Sequence, residues 1–344
     1  QKRADLEAAK ADLEAAAAET RRAERYWQRM QKADERGITQ KERDDAQAEA
    51  NLRTAIDGWD YAAVRDRLKA KWEKRLSSVS VSTARPEVRK LFYPALYRTM
   101  LHPRNIGEGG RHYSAFDDRV HEGGDAYTGF SLWDTYRAAH PLMTLVSPDK
   151  VDGMMQSLLN AYREGGWLPK YPNPGYTGVM VGSPAEIVLA EAVAKGFTGF
   201  DRKLAYEAVK HNATVPSIAD GRTQWWGRET WKGAPEGRGG LTTYQALGYV
   251  AADRTEESVS RTLDFGHDDL AAAVLADAVG KPDEAAAFRK RSKNYRNLWN
   301  ASEGKFWPRK ADGSWSEKPR ACLANSSAAI FFLRAFSSSC GVVS

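Results

Sequence analysis

The chain has 344 residues, of which 42% are apolar, and this length corresponds to about two domains. Its formal net charge of +6 is small for the length, and no basic run carries interleaved aromatic residues, so we expect no nucleic-acid-binding surface. No apolar run is long enough for a transmembrane helix, and the two cysteines, Cys322 and Cys340, permit one disulfide but no metal framework.

Residues 1–50 differ in composition from the rest of the chain. Two tandem heptads, ADLEAAK and ADLEAAA, place Leu6 and Leu13 on one apolar seam. Gly37 ends the first helix and Thr39 begins a second one, which predicts a coiled-coil-like helical hairpin. Because an Ala-rich seam is too narrow to be stable alone, we expect this hairpin to self-associate or to bind a partner.

The hairpin sequence resembles one known family. The segments RADLEAAKADLEAA and RMQKADERGITQKERDDAQAEA are similar to the α-helical hairpin of periplasmic adaptor (membrane-fusion) proteins of efflux pumps. The alternative is a generic coiled coil, because any helix rich in Ala, Glu and Lys scores well against that hairpin. An adaptor-like interaction protein is therefore one possible function, although no lipoyl-like or barrel sequence follows.

Beyond Trp59, helices alternate with loops that hold most of the Gly, Trp and Asp residues. Apolar spacing and helix-start residues predict helices over 61–76, 86–100, 148–165, 183–196, 201–209, 256–279 and 282–299. In the helix at 183–196, Ser183 precedes Pro184 and Glu186 stands in the position of a capping-box acid.

Long loops separate these helices at 102–124 and 212–240, and the second loop carries Trp225, Trp226 and Trp231. Period-two stretches are few and no βαβ alternation is visible. We therefore expect an all-α fold, a partial (α/α)6 toroid or barrel of helix hairpins, whose loops at one end build a site.

One stretch, YTGFSLWDTYRAAHPLM, carries the strongest local signal for a ligand. Ser131 is in position to cap a helix, and Asp134 follows as its capping-box acid. Trp133, Asp134 and Arg137 then lie at the mouth of that helix, where a ring can stack on a sugar and charged groups can bind its hydroxyls. The alternative is a core tryptophan beside a surface Asp–Arg pair.

Other loop clusters combine carboxylates with aromatic residues. They are Arg111-His112-Tyr113, Phe116-Asp117-Asp118, the segment 164–169 (EGGWLP) and His267-Asp268-Asp269. Carboxylates near aromatic rings can bind calcium, orient sugar hydroxyls or act as acids and bases. The alternative for each cluster alone is a helix cap or an exposed loop, and for His267 a structural role.

The order of these segments resembles glycoside hydrolase family 92 over about residues 50–316. The resemblance runs through FYPALYRTML, YSAFDDRVHEGGDAYTGFSLWDTYRAAHPLMTL, EGGWLPKYPNPGYTGVMVG, GYVAADRTEESVSRTLDFGHDDL and FRKRSKNYRNLWNASEGKFWPRKADGSW. It implies a calcium-dependent, inverting exo-α-mannosidase, acting on α-1,2 and related linkages of mannose-containing glycans in the periplasm or outside the cell. It also implies a β-sandwich followed by an (α/α)6 barrel, so residues 51–316 would form a partial catalytic domain.

The same resemblance implies roles for individual residues. Trp133 and Asp134 would line the subsite for the terminal mannose. Around its rim or floor would lie Arg111, Tyr113, Asp117 and Trp167. Asp268 and Asp269 match an Asp-Asp pair of the family, and Glu164 matches the acid before its Gly-Gly-Trp turn.

The sequence departs from the family at both ends and within the barrel. The β-sandwich is missing, Pro184 replaces a residue that is usually polar, and the tail at 317–344 has no family counterpart. The catalytic acid, the general base and most calcium ligands of the family would lie beyond this match, so the catalytic residues are unknown. We therefore expect a piece of a mannosidase gene of doubtful activity, or a non-catalytic carbohydrate-binding remnant that uses Trp133, Asp134 and Trp167.

Overall fold

The computed structural model describes residues 45–46, 48–50, 52–53, 60–217, 220 and 237–317. Several predictions fall outside these residues: almost all of the hairpin at 1–50, Trp225, Trp226 and Trp231, and the tail with Cys322 and Cys340. Self-association through the hairpin therefore stays a prediction. The chain divides into two compact units between Tyr97 and Arg98.

The first unit contains two long helices, as the apolar spacing predicts. Helix α1 spans Tyr61–Leu76 and helix α2 spans Pro86–Thr99. The Asp60 carboxylate caps α1 by accepting hydrogen bonds from two backbone N–H groups of its first turn. The rings of Trp72 and Tyr97 meet edge to face with centroids 4.5 Å apart, so the two helices contact each other through aromatic residues.

The second unit opens with short strands, which corrects the all-α prediction for the loop at 102–124. The strands are β1 (Arg104–Asn105), β2 (Arg111–Ser114), β3 (Arg119–Glu122) and β4 (Tyr127–Thr128). β1 pairs with β4 and β2 pairs with β3, both antiparallel. Each strand has at most four residues, which is too short for a two-residue hydrophobic period to stand out in the sequence.

The predicted helix over the SLWDTYR stretch is wrong as a single element. It forms a four-residue helix, α3 (Leu132–Thr135), and then a separate helix, α4 (Ala139–Val146). Pro141 explains the break, because a proline lacks the N–H donor and its ring clashes with the carbonyl four residues earlier. Ser131 makes no side-chain cap; its hydroxyl donates to the Asp134 carboxylate at 2.6 Å instead.

The remaining helices agree only in part with the sequence pattern, because the helix predicted over 282–299 ends at Arg291 and the short helix Leu241–Leu247 was not predicted. They are α5 (Pro148–Gly165), α6 (Ala185–Ala194), α7 (Arg202–Thr214), α8 (Leu241–Leu247), α9 (Ser258–Ala278) and α10 (Pro282–Arg291). A 3₁₀ helix (Asn294–Leu298) and a hairpin of β5 (Trp299–Asn300) and β6 (Lys305–Phe306) come next. Within the described ranges, no helix combines the length and the apolar character needed to cross a membrane.

The core of the second unit lies between α5, α6, α7, α9 and α10, with α9 packed against three of the others. Helix α5 supplies the predicted apolar stripe, whose buried members are Val151, Met154, Met155, Leu158 and Leu159. Its end is fixed by Gly166, which adopts the left-handed conformation (φ 86°) that favours glycine. The helix-rich architecture therefore agrees with the predicted hairpins, and its stability rests on this shared core.

We expect Leu159→Ala to lower the free energy of unfolding by about 2–5 kcal/mol, because the side chain is fully buried and its removal leaves a cavity. The matched control is Leu145→Ala on α4, where the side chain is 77% exposed and the change should stay within about 0.5 kcal/mol. Urea denaturation of both variants measures the difference. Equal effects would contradict the assignment of the core.

Candidate functional site

A buried arginine joins two helices through their carboxylates. Arg238 donates from Nη2 to Glu186 on α6 at 2.6 Å and also contacts Asp269 on α9. Asp269 accepts further hydrogen bonds, each at 2.8 Å, from the Tyr244 hydroxyl and from Nε of Arg291. The side chains of Arg238, Glu186 and Asp269 have no exposed surface. The predicted site residue Asp269 thus lies inside the protein, where it links helices.

Asp268 lies next to Asp269 and accepts the hydrogen bond that had been predicted for Glu186. Its Oδ2 accepts from the backbone N–H of Ser183 at 2.8 Å, the contact predicted for the capping-box acid Glu186. That role for Glu186 is wrong, because its carboxylate is bound by Arg238. Asp268 Oδ1 has no hydrogen-bond partner among the residues that the structure describes.

Burial governs the protonation of these two acids. It raises the pKa of Glu186 above its usual range, against the opposing effect of the Arg238 charge. Burial, together with the charge of Glu186, raises the pKa of Asp268 well above its usual range. A proton is therefore retained more easily here than on an exposed carboxylate.

The network continues to the predicted site residue Trp167. Asn212 donates to the Ser183 hydroxyl at 3.2 Å and accepts from the backbone N–H of Leu168 at the same distance. The ring of the neighbouring Trp167 lies against Gly237, where an added Cβ would come within 2.7 Å of it. Gly237 also has φ 82°, so both its conformation and its contact with the ring require glycine.

Trp133 is held from two directions. Its indole Nε1 donates to Asp264 Oδ2 on α9 at 3.2 Å, and the Arg137 guanidinium lies 4.2 Å from the ring centroid. Asp134, one residue on, is exposed. Asp264 was not predicted from the sequence, although it precedes Asp268 by one helical turn and therefore shares its helix face.

The β2–β3 hairpin carries a second group of predicted residues. His112 and His121 face each other across the two strands, with ring centroids 5.6 Å apart. Each ring is anchored by a carboxylate: His112 Nε2 lies 3.2 Å from Glu164, and His121 Nε2 lies 2.9 Å from Asp117. The predicted residues Glu164 and Asp117 are thus linked through two stacked histidines, whose pairing the sequence did not reveal.

A small pocket of about 30 Å³ lies between this hairpin and α5. Two predicted residues, Tyr113 and Glu164, line it. Its other lining residues are Ile106, His112, Ser114, Ala115, Phe116, Ala126, Tyr127, Thr128, Ser157, Asn160 and Pro174. The remaining predicted residues are not part of this lining: Arg111, Asp117, Trp133, Asp134, Trp167, Asp268 and Asp269. The geometry therefore forms two regions, one around this pocket and one from Trp133 through the buried network to Trp167.

The described residues do not fit a calcium ion. Calcium takes about six to eight oxygen ligands, usually with several carboxylates among them. Within the described part of the chain, no group of three or more His, Cys, Asp or Glu side chains is placed to hold a metal. The buried carboxylates of Glu186 and Asp269 are bound by guanidinium groups instead.

Comparison with known proteins identifies a family for this chain. The model of the glycosyl hydrolase family 92 catalytic domain matches residues 47–329. A protein of Arthroderma benhamiae described as an uncharacterized secreted glycosidase is 28% identical over 298 residues, which is 78% of this chain and 32% of that protein.

Solved structures agree with this result. A family GH92 inverting mannosidase of Bacteroides thetaiotaomicron is similar with a TM-score of 0.71 and 31% identity, over 81% of this chain and 36% of that one. A GH92 α-mannosidase of the same organism gives a TM-score of 0.68 and 30% identity, over 80% of this chain and 35% of that one. The chain thus spans about a third of the length of these relatives.

We expect Arg238→Met to lower the free energy of unfolding at neutral pH by about 3–5 kcal/mol, because it leaves buried carboxylates without their cation. The raised pKa values of Glu186 and Asp268 mean that the folded state binds more protons than the unfolded chain. The contribution of these two protonated acids to the free energy of unfolding is therefore greatest at acid pH and is lost as the pH rises. The loss of unfolding free energy in Arg238→Met should accordingly be smallest at acid pH.

The control for Arg238→Met is Arg289→Met, which breaks an exposed ion pair with Asp277 and should cost about 0–1 kcal/mol. Denaturation with urea at several pH values measures both variants. A loss in Arg238→Met that is small, or that does not change with pH, would contradict the role of this network.

Proposed function

We propose, from the premise that this chain belongs to glycoside hydrolase family 92, that it binds a terminal mannose of a glycan as part of an exo-acting α-mannosidase. The observation that carries the proposal is its likeness in sequence and fold to two mannosidases of the family, over about four fifths of the chain. Because the chain spans about a third of those proteins, the activity of the whole enzyme is part of the proposal.

Trp133 and Asp134 are proposed to contact the sugar. The partly exposed indole supplies a flat face for the apolar side of a pyranose ring, and its orientation is limited by Arg137 and Asp264. The exposed Asp134 carboxylate accepts from sugar hydroxyls, and Ser131 limits its freedom before the sugar arrives. Two adjacent residues thus provide stacking and hydrogen bonding at one short helix.

The pocket beside β2–β3 is proposed to contribute a second set of polar contacts. Glu164 is 91% buried and held by His112, so it can accept a hydroxyl hydrogen bond from a fixed position. Tyr113 lines the same pocket, with its own hydroxyl donated to Asp118. From the family resemblance, Arg111, Asp117 and Trp167 are proposed for the rim or floor of the terminal-mannose subsite.

Asp268 and Asp269 receive a different proposal. Since both carboxylates are almost completely buried and bonded to other parts of the chain, they support the site without contacting the sugar. In this role they fix α9, which also carries the partner of Trp133. Removing either acid would then act through the geometry of the site.

The finer parts of the proposal rest on the family resemblance. Inverting hydrolysis needs an acid on the leaving oxygen and a carboxylate that activates water, about 6.5–9.5 Å apart. We assign neither role within the described residues, and we propose that the chain is a piece of a longer, calcium-dependent enzyme for α-1,2 and related linkages. The name of the Arthroderma relative, a secreted glycosidase, supports a periplasmic or secreted location.

We expect the full chain to bind D-mannose and α-1,2-mannobiose, and Asp134→Ala to weaken this binding about tenfold, through loss of charge-assisted hydrogen bonds. Titration calorimetry measures the affinity, and Asp283→Ala, at an exposed acid on α10, is the control. Release of free mannose from the mannobiose with calcium present would support a hydrolase. Binding without release would support a carbohydrate-binding module, and absence of binding would contradict the proposal.

A further inference from the structure

Asp264 is connected to Trp133 by a hydrogen bond between parts of the chain that are 131 residues apart in sequence. It lies near the start of α9, while Trp133 lies on α3. The backbone at Gly182 presses against it, since an added Cβ there would lie 3.0 Å from the Asp264 Cβ. Gly182 has φ 71°, so a side chain is disfavoured by both conformation and space. The carboxyl group therefore has little freedom to move.

Arg137 completes the support of the indole. Its guanidinium lies 4.2 Å from the centroid of Trp133 and 4.7 Å from that of Tyr136. Its Nε also donates to the backbone carbonyl of Trp133 at 3.0 Å. The indole is thus held at its N–H edge by Asp264 and on one face by Arg137, and these contacts together define the plane of the ring.

We infer that Asp264 is the positioning residue that fixes the plane of the Trp133 ring for stacking on a sugar. The inference rests on the proposed function, because it gives Trp133 its ligand. Asp264 acts through the indole and does not need to touch the sugar. A ring without this hydrogen bond samples more orientations and must lose that freedom on binding, which weakens the affinity.

The positioning depends on pH, because the charge of Asp264 changes near neutrality. Burial raises its pKa to about 6, although the Trp133 hydrogen bond and the neighbouring arginines oppose the shift. The charged and titratable groups that face it are Arg137 and Tyr136 from the α3–α4 segment, Glu257 and Arg261 at the start of α9, and Asp268 one turn after it on α9. The ionised carboxylate is the stronger acceptor for the indole N–H, so the ring is held best above this pKa.

The test uses the full chain with ¹⁵N-labelled tryptophan, and the Trp133 indole signal is assigned by its loss in Trp133→Phe. We expect this signal to shift between about pH 5 and pH 7, with a midpoint near 6. The shift should vanish in Asp264→Asn and persist in Asp277→Asn, which changes an exposed carboxylate on the same helix. The titration is measured on the unaltered chain and needs only Trp133→Phe for its assignment, so it still tests the inference if Asp264→Asn does not fold.

Affinity for D-mannose gives the second measurement. We expect Asp264→Asn to bind mannose about tenfold more weakly, and Asp264→Glu to recover part of the loss because it restores a carboxylate. An indole signal that does not respond to pH, or equal mannose affinity in Asp264→Asn and the unaltered chain, would overturn the inference. If the unaltered chain binds no mannose while the indole signal titrates, the proposed function fails but the control of Trp133 by Asp264 stands.

Discussion

The arrangement of α6 and α9 in the second unit depends on the buried ion pairs that Arg238 forms with both helices. Arg238 lies between Glu186 on α6 and Asp269 on α9, and Asp269 also binds Arg291 at the end of α10. Placing these charges out of water is costly unless each has its partner, so the helices must keep their relative positions for the network to remain satisfied. The position of α9, which carries the Asp264 partner of Trp133, therefore depends on the buried ion pairs of Arg238.

Much of the helical architecture could be predicted from local sequence. The apolar stripe of α5 and the Asp201 cap of α7 each depend only on residues that are close in sequence. The structure confirms both predictions. The division of α3 from α4 was missed because Leu132, Tyr136, Ala139 and Leu142 recur at helical spacing across the break, which Pro141 explains. The β2–β3 hairpin was missed because strand pairing depends on contacts between segments, which four-residue strands hardly reveal.

The candidate site was harder to predict for the same physical reason. The sequence motif identifies Trp133 and Asp134, but the partner that orients the indole, Asp264, comes from a distant helix. Asp268 and Asp269 were predicted as substrate contacts from the family resemblance, which carries no information about their burial in this chain. Their burial becomes visible only once Arg238, from a segment with no motif, supplies the opposite charge.

The contact of Gly237 with the Trp167 ring has a consequence for heat tolerance. Gly237 is adjacent to Arg238, so the salt-bridge network and the surface that presses on the indole are consecutive in the chain. If these ion pairs open on warming, the backbone that contacts the ring is freed in the same event. The sugar recognition proposed for Trp167 would then be lost at the temperature at which the interior opens, so both properties would have to improve together in a more thermostable variant.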